Sequence, residues 1–381
     1  MTSTLAERLA ALHDAAQFNA RFYALDTSGS LRTRIGGAGS GMPGDNPPAW
    51  DDLGGYSTSL AVSRRGTIFT TGTRWAAAKP TLFVGRGGAD GWQYASETML
   101  DAKQVCIAER PYGDTLLVAA IGVPPGTVRV QLFNDAPGVG ETESERWTVN
   151  NRRWGDHDVL PTPAGKQVKR LGARPNGGGY LLYALCWNDD NSLTLSVARF
   201  VPGAIRDAHH TAWSDVTTVS AGFISSYFKA LKPKTQVVSK YSSMNPPWQM
   251  TRGRVPTSIS FLPDGTVVLH VCFGVWLVPA GQTRGPSNPD WNLLEMVSNG
   301  GMHIQANHTP HNFTFFSDLT SALLTDRGLY VRFWDLKAWD FRWRQDLAAE
   351  GAAIQKQSYD EFPVFQALYG SLNESSRRGT A

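Results

Sequence analysis

The first sixteen residues repeat apolar positions at helical spacing, with Leu5, Leu9, Leu12 and Ala16 on one face of a 3.6-residue period. Thr4 and Glu7 have the capping-box spacing, in which each side chain satisfies the other residue's free backbone amide. One short amphipathic helix is therefore expected over residues 1–17. After Phe18 the period shortens to runs of β-branched and aromatic residues separated by glycine-bearing turns, the signature of short strands in hairpins. A turn followed by an apolar strand recurs at Arg65-Gly66, Tyr112-Gly113, Gly178-Gly179, Asp264-Gly265 and Arg327-Gly328. Strand-like runs precede several of them, as at 257–262 and 321–324.

A second marker alternates with the hairpins: a tryptophan among polar neighbours, at Trp50, Trp92, Trp147, Trp213, Trp291 and Trp343. The gaps are 42, 55, 66, 78 and 52 residues, near the roughly 40–50 of a four-stranded propeller blade, with insertions in the longer ones. Alternation in one order across most of the chain fits radial repeats, each presenting similar apolar faces to its neighbours. Paired sandwiches or a jelly roll explain it less well, and no helical pattern separates the strands as a parallel α/β fold requires. The expected fold is all-β: a β-propeller of about six blades over residues 18–350, with the N-terminal helix before it and a partly helical C-terminal tail, residues 351–381, after it. The tail expectation rests on the run from Gln345, read as a short helix broken at Pro363.

Composition supports this reading. Of 381 residues, 38 are glycine, 22 proline and 11% aromatic, a mix that favours turns and aromatic strands. With 36 basic against 33 acidic residues, nothing points to a nucleic-acid partner. Three cysteines without a C-x-x-C pair argue against a disulfide framework or a cysteine zinc site. A soluble protein is expected, with no classical export signal at its start and no run long enough to span a bilayer.

Charge is nevertheless unevenly placed. Residues 216–263 contain no acid but hold Lys229, Lys232, Lys234, Lys240, Arg252 and Arg254, interleaved with Tyr227, Tyr241 and Trp248. A basic insertion at about 216–255 is expected, drawing an anionic partner, with Lys232, Lys234, Arg252 and Arg254 as cations and Trp248 as a stacking platform. A second cluster, His303, His308 and His311, could supply a general base. Its spacing matches no zinc motif, so no metal is expected, and without a phosphate loop, dinucleotide fingerprint or G-x-S-x-G elbow no cofactor is either. His209-His210 and Asp156-His157-Asp158 are expected in polar loops. Asp51, Asp52, Glu97, Asp101, Glu109 and Asp335 are among the candidate acids for a glycosidase pair.

The run Phe22-Tyr23-Ala24-Leu25-Asp26-Thr27-Ser28-Gly29-Ser30-Leu31-Arg32, closing at Trp50-Asp51-Asp52-Leu53, resembles one blade of the fucose-binding and tectonin-type propeller lectins. The resemblance implies sugar sites between adjacent blades, each with an arginine, a glutamate and an aromatic residue. Arg32 stands at the arginine position, with Trp50 closing the unit, while the glutamate position is Thr33.

The leading expectation is a lectin-like propeller binding a cell-surface or anionic glycan, with a virus particle or toxin as one setting. A glycan-cleaving enzyme on the same fold, a lyase or glycoside hydrolase, is the alternative, and there His303, His308 or His311 would be catalytic. An assembly scaffold that oligomerises through the terminal helix is the third.

Overall fold

The computed structural model describes residues 21–25, 31–35, 51–54, 56–73, 81–85, 92–94, 102–110, 113, 115–122, 126–135, 154–203, 212–225, 255, 257–262, 265–272, 274–278, 292–296, 310–315, 320–325, 328–333, 340–344 and 353–357. Strands β1 (Arg21–Leu25), β2 (Leu31–Ile35) and β3 (Asp51–Gly54) begin one antiparallel sheet. The second sheet holds β4 (Tyr56–Val62), β5 (Ile68–Thr73), β6 (Thr81–Gly85) and β7 (Trp92–Tyr94). The third holds β8 (Gln104–Glu109), β9 (Thr115–Gly122), β10 (Thr127–Asn134) and β11 (Trp154–Pro161). The fourth holds β12 (Gln167–Asn176), β13 (Gly179–Trp187), β14 (Leu193–Phe200) and β15 (Ser214–Val219). The fifth holds β16 (Thr257–Phe261), β17 (Val267–Val271), β18 (Gly274–Val278) and β19 (Asn292–Met296), and the sixth β20 (Pro310–Phe315), β21 (Thr320–Thr325), β22 (Gly328–Phe333) and β23 (Asp340–Arg344). The last strand, β24 (Ala353–Gln357), returns to pair antiparallel with β1, with Tyr23 opposite Gln355, and completes the first sheet.

Contacts between sheets run in a closed cycle. β24 touches β4, β4 touches β8, and the series continues through β12, β16 and β20 back to β24. The sheets therefore stand radially around a shared axis with one strand of each innermost, the arrangement of a β-propeller. Side chains stitch neighbouring inner strands together. Ser59 Oγ donates to the Val105 carbonyl at 3.3 Å and Arg170 Nε to the Thr257 carbonyl at 3.1 Å. Gln104 Nε2 bonds the Lys169 carbonyl, and Ser258 Oγ the Phe313 carbonyl.

Central strands are buried on both faces, so they read as continuous apolar runs instead of alternating ones. In β9, Leu116, Val118 and Ala120 pack toward the second sheet, while Leu117 and Ala119 pack toward the fourth. β13 repeats the pattern: Leu182, Ala184 and Cys186 face the third sheet, and Tyr183, Leu185 and Trp187 the fifth. Each core is thus a slab between two consecutive sheets, fed by alternate residues of the same strand.

The tryptophan marker identifies outer strands. Trp92 and Trp343 lie within β7 and β23, while Trp50, Trp213 and Trp291 immediately precede β3, β15 and β19. Trp147 lies outside the described residues, and in its sheet Trp154 opens the outer strand. Trp154 packs edge-on to Phe133 at 4.8 Å and to Phe69 of the preceding sheet at 6.3 Å between centroids. Trp213 Nε1 likewise reaches back to the Pro161 carbonyl at 2.6 Å.

Four of the five glycine turns join the first two strands of a sheet, whereas Arg327-Gly328 joins the second and third. Three expectations need correction. Residues 353–357 are a strand of the first sheet where a tail was expected, because β24 supplies the hydrogen-bonding partner that β1 lacks. Val216–Val219, read as the start of the basic insertion, belong to β15, and a single helical turn at residues 221–225 follows, with Ser220 accepting from the Phe223 amide at 3.3 Å. Asp156-His157-Asp158 form part of β11, not a loop, because the backbone there continues the pairing with β10. The N-terminal helix and residues 358–381 lie outside the described residues.

Candidate functional site at the junctions between sheets

Polar chemistry concentrates where the first hairpin turn of one sheet meets that of the next. The β4–β5 turn closes with Gly66 donating to the Ser63 carbonyl at 2.9 Å. Gly66 takes a φ of +79°, which a residue without Cβ adopts at little steric cost. Two carboxylates of the third sheet grip this turn. Asp135 accepts from Ser63 Oγ at 2.7 Å and from Thr67 Oγ1 at 2.5 Å. The Arg64 amide donates to both oxygens of Glu109, at 3.2 and 3.1 Å.

Burial, and then the Asp135 charge, push the Glu109 carboxyl up to about 7, although the Arg64 amide and the Arg64 and Arg65 charges pull the other way. A carboxylic acid poised near neutrality beside a second carboxylate is the kind of pair that proton-transfer chemistry uses, and equally the kind a tight structural junction creates.

An arginine crosses each of three successive junctions. Arg64 Nη2 donates to the Gly113 carbonyl in the β8–β9 turn at 2.7 Å. From beside that turn, Arg110 Nη2 donates to the Gly178 carbonyl in the β12–β13 turn at 3.0 Å, its guanidinium 5.4 Å from the centre of the Tyr180 ring. Arg174 then stands against Gly265 in the β16–β17 turn, where an added Cβ would lie 2.6 Å from Arg174 Nη1. Arg174 itself is held by Tyr183 Oη and the Pro175 carbonyl, to each of which it donates at 3.3 Å. Arg110 Nε is buried without a hydrogen-bond partner among the described residues.

Of the residues singled out in the sequence, Arg32 lies on β2, partly buried, opposite Ala24 of β1 and Asp52 of β3 in register. His311, expected in an irregular stretch, belongs to β20, where the register shifts between Pro310 and Asn312 and passes it over. Trp50, Lys232, Lys234, Trp248, Arg252, Arg254, His303 and His308 lie outside the described residues, as do His209 and His210. Glu109 was among the candidate acids, but Asp135, Arg64, Arg110 and Arg174 were missed. A signal existed: Arg64, Arg110 and Arg174 each precede a turn glycine by two to four residues, at Gly66, Gly113 and Gly178.

The thiols show no activated chemistry. Burial pushes Cys106 and Cys186 up to about 12 and also raises Cys272, so the nucleophilic thiolate is suppressed. Among the described residues no three His, Cys, Asp or Glu side chains gather as a metal site, and no helix is long and apolar enough to cross a membrane.

No protein-family profile and no curated protein matches the chain. Solved structures similar to it include the extracellular domain of BT4673 from B. thetaiotaomicron, at 10% identity and a TM-score of 0.34 over 84% of this chain. The chain spans only 32% of that protein's length. The SapL1 lectin, solved with alpha methyl fucoside, is 12% identical with a TM-score of 0.39, covering 86% of this chain and 98% of SapL1. AofleA from Arthrobotrys oligospora is 9% identical with a TM-score of 0.40, covering 90% of each chain. Likenesses this faint say nothing about what this chain binds.

Proposed function

We propose that the chain is a six-bladed β-propeller that recognises a glycan, and that the junctions between consecutive hairpin turns form its contact rim. The observation that carries this reading is the recurrence of an arginine at three successive junctions, beside the carboxyl of Glu109 at the first of them. Guanidinium donors and carboxylate acceptors fixed on turns are the placed polar groups that sugar hydroxyls require. An acidic glycan suits the guanidinium groups there, and the cations between Lys229 and Arg254 extend the same preference.

The test is a glycan array probed with the full chain beside an Arg110→Gln variant. Saturable binding to a defined glycan set, weakened about tenfold or more by the variant, is expected from loss of a charge-assisted hydrogen bond. Absence of binding by the wild-type chain, or identical profiles for both, would sink the proposal.

A second reading, glycoside hydrolysis, is favoured by one feature, the Glu109–Asp135 pair, in which one acid holds its proton near neutrality while its neighbour serves as carboxylate. Release of reducing ends from an oligosaccharide, abolished by Glu109→Gln, would support it; binding without turnover would leave recognition as the function.

A further inference from the structure

The turn between β12 and β13 brings together two groups that can react with each other. β12 ends at Asn176 and β13 begins at Gly179, its partner in register, so Gly177 and Gly178 make the whole connection. A two-residue hairpin turn takes a positive φ at its first residue, which glycine supplies at little steric cost, and Gly177 stands at +55°. Asn176 therefore precedes a residue without a side chain, at the tip of a hairpin where residues 176–178 are all exposed. Nothing lies within 4 Å of where a Cβ of Gly177 or Gly178 would stand. Among the described residues no hydrogen bond holds the Asn176 side-chain amide or the Gly177 backbone amide.

Asn188, in the connection between β13 and β14, is placed differently. Its Nδ2 donates to Ser192 Oγ at 2.8 Å and to Thr194 Oγ1 at 2.7 Å, and the next residue is Asp189, which carries a side chain. A further Asn-Gly pair, Asn299-Gly300, lies outside the described residues.

We propose that Asn176 is a site of spontaneous deamidation, which turns the tip of this hairpin from neutral to negative. The Gly177 nitrogen gives its proton to hydroxide and attacks Asn176 Cγ. The new N–Cγ bond closes a cyclic imide, and Nδ2 leaves as ammonia. One water then opens the ring. Cleavage of N–Cγ leaves aspartate, whereas cleavage of the bond to the backbone carbonyl carbon leaves isoaspartate, with the chain routed through Cγ. Glycine at 177 matters because a Cβ there would crowd the attacking nitrogen.

The carboxylate forms where cations gather. Arg174 stands two residues back on the same face of β12, and Arg110 Nη2 holds the Gly178 carbonyl at 3.0 Å. The isoaspartate form also adds an atom to the backbone of the turn that Arg110 grips. The rim thus loses net positive charge as the chain ages, whether or not it binds a glycan.

Incubation of the folded full chain in mildly alkaline and mildly acidic buffer, followed by peptide mapping in a mass spectrometer, tests the assignment and separates Asn176 from Asn299. Asn176 should gain the mass of an amide-to-acid exchange at least about tenfold faster than Asn188, and Gly177→Ala should slow it about tenfold. Conversion should be faster in the alkaline buffer, because the attacking nitrogen must lose its proton. If Gly177→Ala distorts the turn, the comparison of Asn176 with Asn188 in the wild-type chain needs no variant. Asn176 converting no faster than Asn188, a rate indifferent to Gly177→Ala or to pH, or conversion confined to chains unfolded in urea would overturn the proposal.

Discussion

Glu109 makes the folded chain bind a proton more tightly than the unfolded one, since its carboxyl is raised from 4.5 to about 7. Between those values the native state holds more protons, so stability falls as pH rises through the window and recovers as pH falls. The swing is on the order of 3 kcal/mol from the size of the shift. Glutamine at this position never ionises. The stability of the wild-type chain minus that of Glu109→Gln should therefore decline by about that amount between about pH 5 and 8 in thermal unfolding, and a constant difference would show that Glu109 is not strained. Residue chemistry of this kind was only half legible in the sequence. Glu109 could be named as an acid, but Asp135 is distant along the chain, and nothing local announces that β8 and β10 bring both onto the turn of another sheet. Tryptophans were more informative because they recur at the outer strands, and Trp154, packed against Phe69 of the previous sheet, opens such a strand where Trp147 was expected.

Between elements, one close approach to test is Gly172 on β12. A Cβ there would lie 2.8 Å from Ile259 Cγ2 on β16, so the two inner strands can meet only because one lacks a side chain. Gly172→Ala should cost about 1–3 kcal/mol through overpacking, read as a lower denaturation midpoint with unchanged slope; no loss would mean that the strands can part without penalty. Gly265 differs, because its φ of +85° strains any replacement whatever the space. Hairpins were legible at this scale: glycine turns and β-branched runs mark β4–β5, β8–β9, β12–β13 and β16–β17 as they stand. The bulge in β12, where the register shifts between Val168 and Arg170, was not, since an inserted residue leaves composition and pattern almost unaltered.

For the whole molecule, the decisive joint is β24 with β1. Without it the first sheet lacks its inner strand and the cycle of contacts from β20 to β4 is broken. A chain ended at Glu350 should unfold at lower temperature and less cooperatively than the full chain in calorimetry, whereas removing residues beyond Gln357 should leave the inner ring closed. Equal melting of the full chain and the Glu350 truncation would mean that the ring does not depend on this strand. The repeat order was readable from alternating hairpins and tryptophans, but the closure was not, because Ala353–Gln357 carries neither marker. Biosynthesis feels the same joint. While a ribosome makes the later sheets, β1 waits with an open hydrogen-bonding edge, and that edge is a template for any extended segment nearby. Newly made chains thus stay open to mispairing until Ala353–Gln357 has been made and has docked on β1, and slowing that docking would prolong the interval.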